Sequence, residues 1–189
     1  MHQIPTLETE RLILRPLVPE DHIWAQKLFP QFAIVKYLNP HVPWPYPDDG
    51  MQTFYKDIVI PRTARGELLF WVIVDKSNNT PMGAIEIRPG EAHENRGFWL
   101  GLPFHGKGFM SEAVIAVTDY AFDVLGLEKM ILGNARDNAA SGNIKIKSGA
   151  TLLREEESAF AGGTFIKQVW EQTPENWRNS PLKQKGKTS

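Results

Sequence analysis

The sequence predicts a single α+β domain: a mixed, mostly antiparallel central sheet flanked by helices. Three observations carry this. The chain has 189 residues, 42% apolar and 23% charged, which is the size and composition of one globular domain with a sizeable core. Alternating or wholly apolar runs of strand length recur along it. Between them lie segments whose apolar residues return every three or four positions, the helical period.

In chain order, "RLILRPL" sets Leu12 and Leu14 against Arg11, Ile13 and Arg15, and reads as a strand stopped by Pro16. Pro19-Glu-Asp has the composition of a helix start, which Ile23, Trp24 and Leu28 continue to Phe29. Four prolines between Tyr37 and Gly50 make that stretch an extended loop. Asp48 or Asp49 then caps a helix with Met51, Phe54, Tyr55 and Ile58 on its apolar stripe. "LLFWVIVD", the turn "KSNNT" and "PMGAIEIR" form a hairpin, and a third strand spans about Arg96–Leu100. An amphipathic helix comes next, carrying Met110, Ala113, Val114, Val117, Tyr120, Ala121, Val124 and Leu125, with Gly126 as its C′ residue. "KMILGNA" is a buried strand, Asn138–Ser148 a short helix, and two strands lie near Thr151–Phe160 and Thr164–Gln172. The domain is taken as residues 1–177, with 178–189 a polar, flexible tail that begins to fray from Pro174.

Composition narrows the function. A formal charge of −1 argues against electrostatically driven nucleic-acid binding. The absence of cysteine removes disulfides, thiolate metal sites and a cysteine nucleophile, and is compatible with a reducing cytoplasm. The N-terminus lacks the pattern of a signal peptide, and no apolar run approaches a membrane span.

The densest chemistry lies in "GFWLGLPFHGKGFMSEAV", Gly97 to Val114, between a strand and a helix. There the first N–H groups of the helix lack internal partners and carry a partial positive charge. Gly106 and Gly108 let the backbone approach an anion closely, and Lys107 adds charge at the rim. A magnesium-nucleotide loop needs Ser or Thr after the lysine, where this chain has Gly108. A dinucleotide loop needs a third glycine, where Ser111 stands. A turn serving geometry alone remains the plain alternative.

"HGKGFMSEA" after "GFWLGLPF" resembles the acetyl-CoA pyrophosphate loop of the GNAT acetyltransferases, in the form found in the ribosomal-protein (RimJ/RimL) branch. "LETERLILRPLVPED", "MGAIEI", Asn138-x-x-Ser141 with Lys147-Ser-Gly149, and "VWEQTPENW" fall in the same order. The resemblance spans residues 7–177 and implies the GNAT fold, with a splayed strand at the cofactor site. It implies acetyl-CoA as cosubstrate and no metal, with the pyrophosphate on residues 105–111: His105, Gly106, Lys107, Gly108, Phe109, Met110 and Ser111. The splayed strand, Phe98, Trp99, Leu100 and on to Leu102, would bind the pantetheine amides. Asn138 would hold the arm, and Ser141 would lie near the thioester sulfur.

The implied reaction is direct attack of an amine on the thioester. It needs positioning, an oxyanion donor, for which the Leu100 backbone is the candidate, a base and a proton for the thiolate. Ser141 is the candidate thiolate donor and Glu86 the candidate base; a hydroxyl bonded to its own helix and a solvated strand-face glutamate are the plainer readings. Trp44, Tyr46, Phe54 and Tyr55 fall where the family forms its acceptor cleft. The acceptor is expected to be a protein or peptide α-amino group, with a small amine or a non-catalytic acyl-CoA-binding module as alternatives. Oligomeric state, a homodimer included, stays open. The chain departs from the family pattern at His105, Met110, Pro103 and Ala150, and at Asn95, where a glutamate that could serve as base is common.

Overall fold

Leu69–Val74 is apolar at every position, and this run forms the centre of the fold, buried on both faces. Alternate residues enter different cores: Leu69, Trp71 and Ile73 join one cluster, Phe70 the other. The structure, a computed structural model, describes residues 4–185.

Two sheets are built around this strand. The first holds β1 (Leu7–Glu8), β2 (Leu12–Pro16), β3 (Leu69–Asp75), β4 (Thr80–Ile87) and β5 (Arg96–Leu100), in that order. The second holds β6 (Met130–Ala135), β7 (Thr151–Phe160) and β8 (Gly163–Gln172), ordered β6-β8-β7. Every pairing within them is antiparallel, in keeping with the mostly antiparallel sheet that the sequence predicts. On one face of the first sheet pack α1 (His22–Leu28), α2 (Phe32–Val35) and α3 (Gly50–Phe54), with α4 (Ile60–Ala64) following them in the chain. On the other lies α5 (Phe109–Asp119), burying Met110, Ala113, Val114 and Val117. The helix α6 (Ala139–Lys147) comes after β6.

Two helical stripes slip relative to the sequence reading. A π turn at Tyr55–Val59 joins α3 to α4, so Val59 is buried and Ile58 is 44% exposed. A second π turn, Tyr120–Val124, ends α5 and leaves Val124 67% exposed. Each wide turn takes up an extra residue and rotates the next residues off the 3.6-residue stripe. The segment after Pro174 does not fray over its described part. It forms α7 (Pro174–Arg178) and α8 (Pro181–Lys185), with Trp177, Ser180 and Leu182 buried. Asp119 at the end of α5 accepts hydrogen bonds from Trp177 Nε1 at 2.8 Å and Lys183 Nζ at 2.6 Å. The expected flexible remainder, 186–189, lies outside the described residues.

The feature that positions the site is the junction of the two sheets. Just before β5, the Asn95 N–H donates to Ile131 O at 2.7 Å, and its Oδ1 accepts from Ile131 N–H at 2.6 Å. Its Nδ2 donates to Arg88 O and Glu91 O. Beyond this point β5 and β6 belong to separate sheets, and a wedge opens between them. Asn95 is therefore a structural joint. A carboxylate could not donate the two side-chain bonds that it makes.

Candidate active site

The register of β4 and β5 decides which backbone groups face the wedge. Arg88 N–H bonds Asn95 O and Gly101 N–H bonds Met82 O, with Glu86 opposite Gly97 and Ala84 opposite Trp99. In an antiparallel ladder these pairs alternate, so odd-numbered residues of β5 bond β4. The N–H and C=O of Phe98 and Leu100 point the other way, along the edge left by the splay. Leu100 O there accepts from His105 Nε2 at 2.7 Å, which puts the ring hydrogen on Nε2. Trp99 is not brought to this edge. Its backbone lies on the β4 side and its ring stacks on Trp24 at 5.7 Å and meets Phe29 edge-on at 5.1 Å.

Beyond the strand, Leu102 lies exposed in a short 3-10 turn and the chain reaches α5 through two left-handed glycines, Gly106 at φ +75° and Gly108 at φ +81°. Nothing lies within 4 Å of the place a Gly106 side chain would take, and Gly108 is the residue before the first turn of α5. Ser111 is half-buried in that turn, whereas Met110 is buried in the core and offers the loop only its backbone. Arg11, a plain strand residue by its sequence pattern, stands over this loop. Its Nη1 donates to Lys107 O at 3.1 Å, and its guanidinium lies 4.6 Å from the Phe109 ring centre. Glu112 holds it there through Nε at 2.7 Å, and also accepts from Arg11 N–H and Thr9 Oγ1.

The opposite wall is α6. Asn138 caps it, its Oδ1 accepting from Ser141 N–H at 3.2 Å, so only its amide nitrogen is left to donate outward. Ser141 is 8% exposed, and its Oγ accepts from Lys145 Nζ at 2.9 Å. Lys145 is 3% exposed and its Nζ lies 5.6 Å from the Phe98 ring centre, so it fills the space between α6 and β5. Burial, then repulsion from Arg96, pushes its ammonium down to about 7, against a small opposing pull from Glu94. Arg96 is also buried, donates to Thr118 Oγ1 at 3.0 Å, and is lowered to about 10 by burial. Nothing in the sequence pattern marks Lys145, because a lysine on a short helix ordinarily faces water.

Glu86 sits on the other face of the sheet. It shares that face with Ala84 and Phe70, and its Oε1 lies over Gly97, 2.8 Å from where a side chain there would begin. Burial raises its carboxyl above the usual range, while Arg88, at 3.1 Å, and Arg62 oppose the rise. Of the aromatic residues expected at an acceptor cleft, Tyr55 and Phe54 pack in the core beneath, and Tyr46 meets Phe29 edge-on at 4.9 Å. Trp44 stays exposed beside Phe32. The carbonyls of Lys36 and Leu38 tie this face to Gly162 and Ala161 at the β7–β8 turn. The described residues contain no group of three or more metal-ligating side chains. None of their helices is long and apolar enough to cross a membrane.

The profile of the acetyltransferase (GNAT) domain matches residues 11–151. The chain belongs to the GNAT acetyltransferase family. As a GNAT protein it is an acetyl-CoA-dependent N-acetyltransferase. The uncharacterized N-acetyltransferase YoaA of Bacillus subtilis is 30% identical over 156 residues, 77% of this chain and 82% of that protein. Mycobacterium smegmatis RimJ, solved with a CoA disulfide, superposes with a TM-score of 0.80 at 16% identity, over 95% of this chain and 92% of that one. RimL, the ribosomal L7/L12 α-N-protein acetyltransferase solved with coenzyme A, gives 0.73 at 20% identity, over 90% and 97%. At such identities the likeness is one of fold.

The GNAT cosubstrate fits the residues present. Space at Gly106, left-handed backbone at both loop glycines and the Arg11 guanidinium suit a pyrophosphate at the start of α5. The Phe98–Leu100 edge suits an amide-bearing arm, which it would bind as an added strand.

Proposed function

We propose that the protein acetylates the α-amino group of a protein or peptide in the cytoplasm, in the manner of the RimJ/RimL branch. The observation that carries this is the placement of two proton-handling groups on opposite faces of one splayed sheet. Glu86 lies with Phe70 and Ala84, whereas Lys145, bonded to Ser141, stands over Phe98, which packs against the other core. When bound, acetyl-CoA supplies an activated acetyl thioester. Residues 105–111 would hold its phosphates, Phe98, Leu100 and Asn138 would orient its arm, and the Leu100 N–H is the candidate oxyanion donor. Glu86 takes the proton of the acceptor amine and Ser141 provides one to the departing sulfur. The fold neighbours named for ribosomal-protein acetylation favour a polypeptide acceptor.

The test is release of CoA thiol from acetyl-CoA, read with a thiol reagent; the chain has no cysteine to contribute background. Turnover is expected with peptides bearing a free N-terminus and not with the same peptides N-formylated. Turnover confined to spermidine or other small amines replaces the proposed acceptor. Acetyl-CoA binding by calorimetry with no turnover on any acceptor points to a binding module.

A further inference from the structure

We propose that Lys145 is a positioning residue for this reaction: it holds Ser141 Oγ in place and returns the proton that Ser141 gives up. The inference rests on the reading of Ser141 as thiolate donor and deepens it. A buried lysine ordinarily needs a carboxylate partner, since an isolated buried ammonium is costly. Among the described residues Lys145 has none at contact distance; the hydrogen-bond acceptor at its Nζ is the hydroxyl of Ser141, one helical turn back. The aromatic face of Phe98 is its other neighbour, on the strand whose free edge lines the wedge. The charged groups around it come from several elements. Arg96 on β5 repels it, and Glu94, in the turn before β5, attracts it while also pairing with Lys167 of β8 at 3.6 Å. Thr118 on α5 and Asn134 on β6, both uncharged, hold Arg96 and Trp170 respectively.

This setting lets the ammonium release a proton near neutral pH, because the neutral amine is the form that burial favours. The transfer balances. As the C–S bond breaks, the Ser141 O–H bond breaks and an S–H bond forms. A Lys145 N–H bond then breaks, restoring the serine hydroxyl and leaving a neutral amine, which water reprotonates. The acceptor amine loses one proton on the far face, so the sum is one proton out and one in. A lysine that only filled space would do none of this, and methionine would fill the same space.

The test compares wild type, Lys145→Met, Lys145→Arg and Ser141→Ala in basal acetyl-CoA hydrolysis, which needs the same protonation of sulfur and no known acceptor. Wild-type turnover should fall on the alkaline side as Lys145 loses its proton, with a midpoint near 7. K145M should lose about a hundredfold in turnover together with that limb, bind acetyl-CoA as wild type does, and melt at higher temperature for want of a buried charge. K145R, which keeps the charge but cannot release a proton, should not restore turnover. Wild-type rates and pH profile in K145M overturn the proposal. So does a Lys145 resonance titrating only above pH ~10 in lysine-labelled wild-type protein, the deciding measurement if K145M fails to fold. Full turnover in S141A instead overturns the assignment of Ser141 on which the proposal stands.

Discussion

On the β5 side of the wedge, the groups offered to a ligand are backbone ones, the N–H and C=O of Phe98 and the N–H of Leu100, whose C=O is taken by His105. On the α6 side they are side chains, Ser141, Lys145 and the amide of Asn138. The first wall owes its geometry to the ladder with β4, and recognises amides whatever side chains it carries. The second wall depends on the identity of each residue, because in the proposed reaction Ser141 and Lys145 move protons there. Binding and chemistry are thus divided between backbone and side chain across one cleft. Substitutions should respond accordingly: changes of backbone conformation affect grip, whereas changes of polar side chains affect turnover.

The largest effect expected on the binding side is from Gly108→Val. A β-branched residue at φ +81° is strained, and its Cβ would stand 3.4 Å from Arg11 Nη2. Acetyl-CoA affinity, read by calorimetry, should fall by about a hundredfold, roughly 2.7 kcal/mol. If affinity holds, the division of labour is wrong. Next comes Glu86→Gln, which sharpens the side-chain half. A base acts only when deprotonated, and burial raises this carboxyl, so wild-type kcat/KM should rise with pH through a value above the ordinary carboxylate range. The glutamine variant should run about tenfold slower at neutral pH and lose that acid limb. The smallest effect should come from Trp99→Phe. It weakens the stack on Trp24 and the edge contact with Phe29, costing about 1 kcal/mol in chemical denaturation while acetyl-CoA affinity stays within about twofold.

The same division governs how much the residues alone reveal. The order of elements is legible because apolar spacing reports period directly, as Leu69–Val74 and the Met110–Val117 stripe show. The tight turn before α5 is legible because two glycines around a lysine between a strand and a helix mark left-handed backbone. Trp99 cannot be separated from Phe98 and Leu100 by pattern, since the face a strand residue takes depends on register with a partner. Ile58 and Val124 are misplaced by π turns, which leave no mark in composition. Arg11 looks like the polar face of a strand, and only the fold brings it to Lys107 O. Asn95 reads as a lost base when its amide is needed as a donor. Lys145 escapes notice because burial of a charge is a tertiary fact: the helix that carries it is not strongly amphipathic, and groups distant in sequence, Phe98 and Arg96 among them, surround it.

Asn95 works like the stop at the end of a zipper. On one side of it the strands are closed by the Ile131 bonds, and on the other they run free. Moving the stop by one residue would displace the point of separation by about 3.3 Å. The edge carried by Phe98 and Leu100 would stay as it is, because the ladder with β4 fixes it. On the proposed reading, how far the cosubstrate arm can enter between the sheets is therefore set by the backbone and carboxamide of one residue.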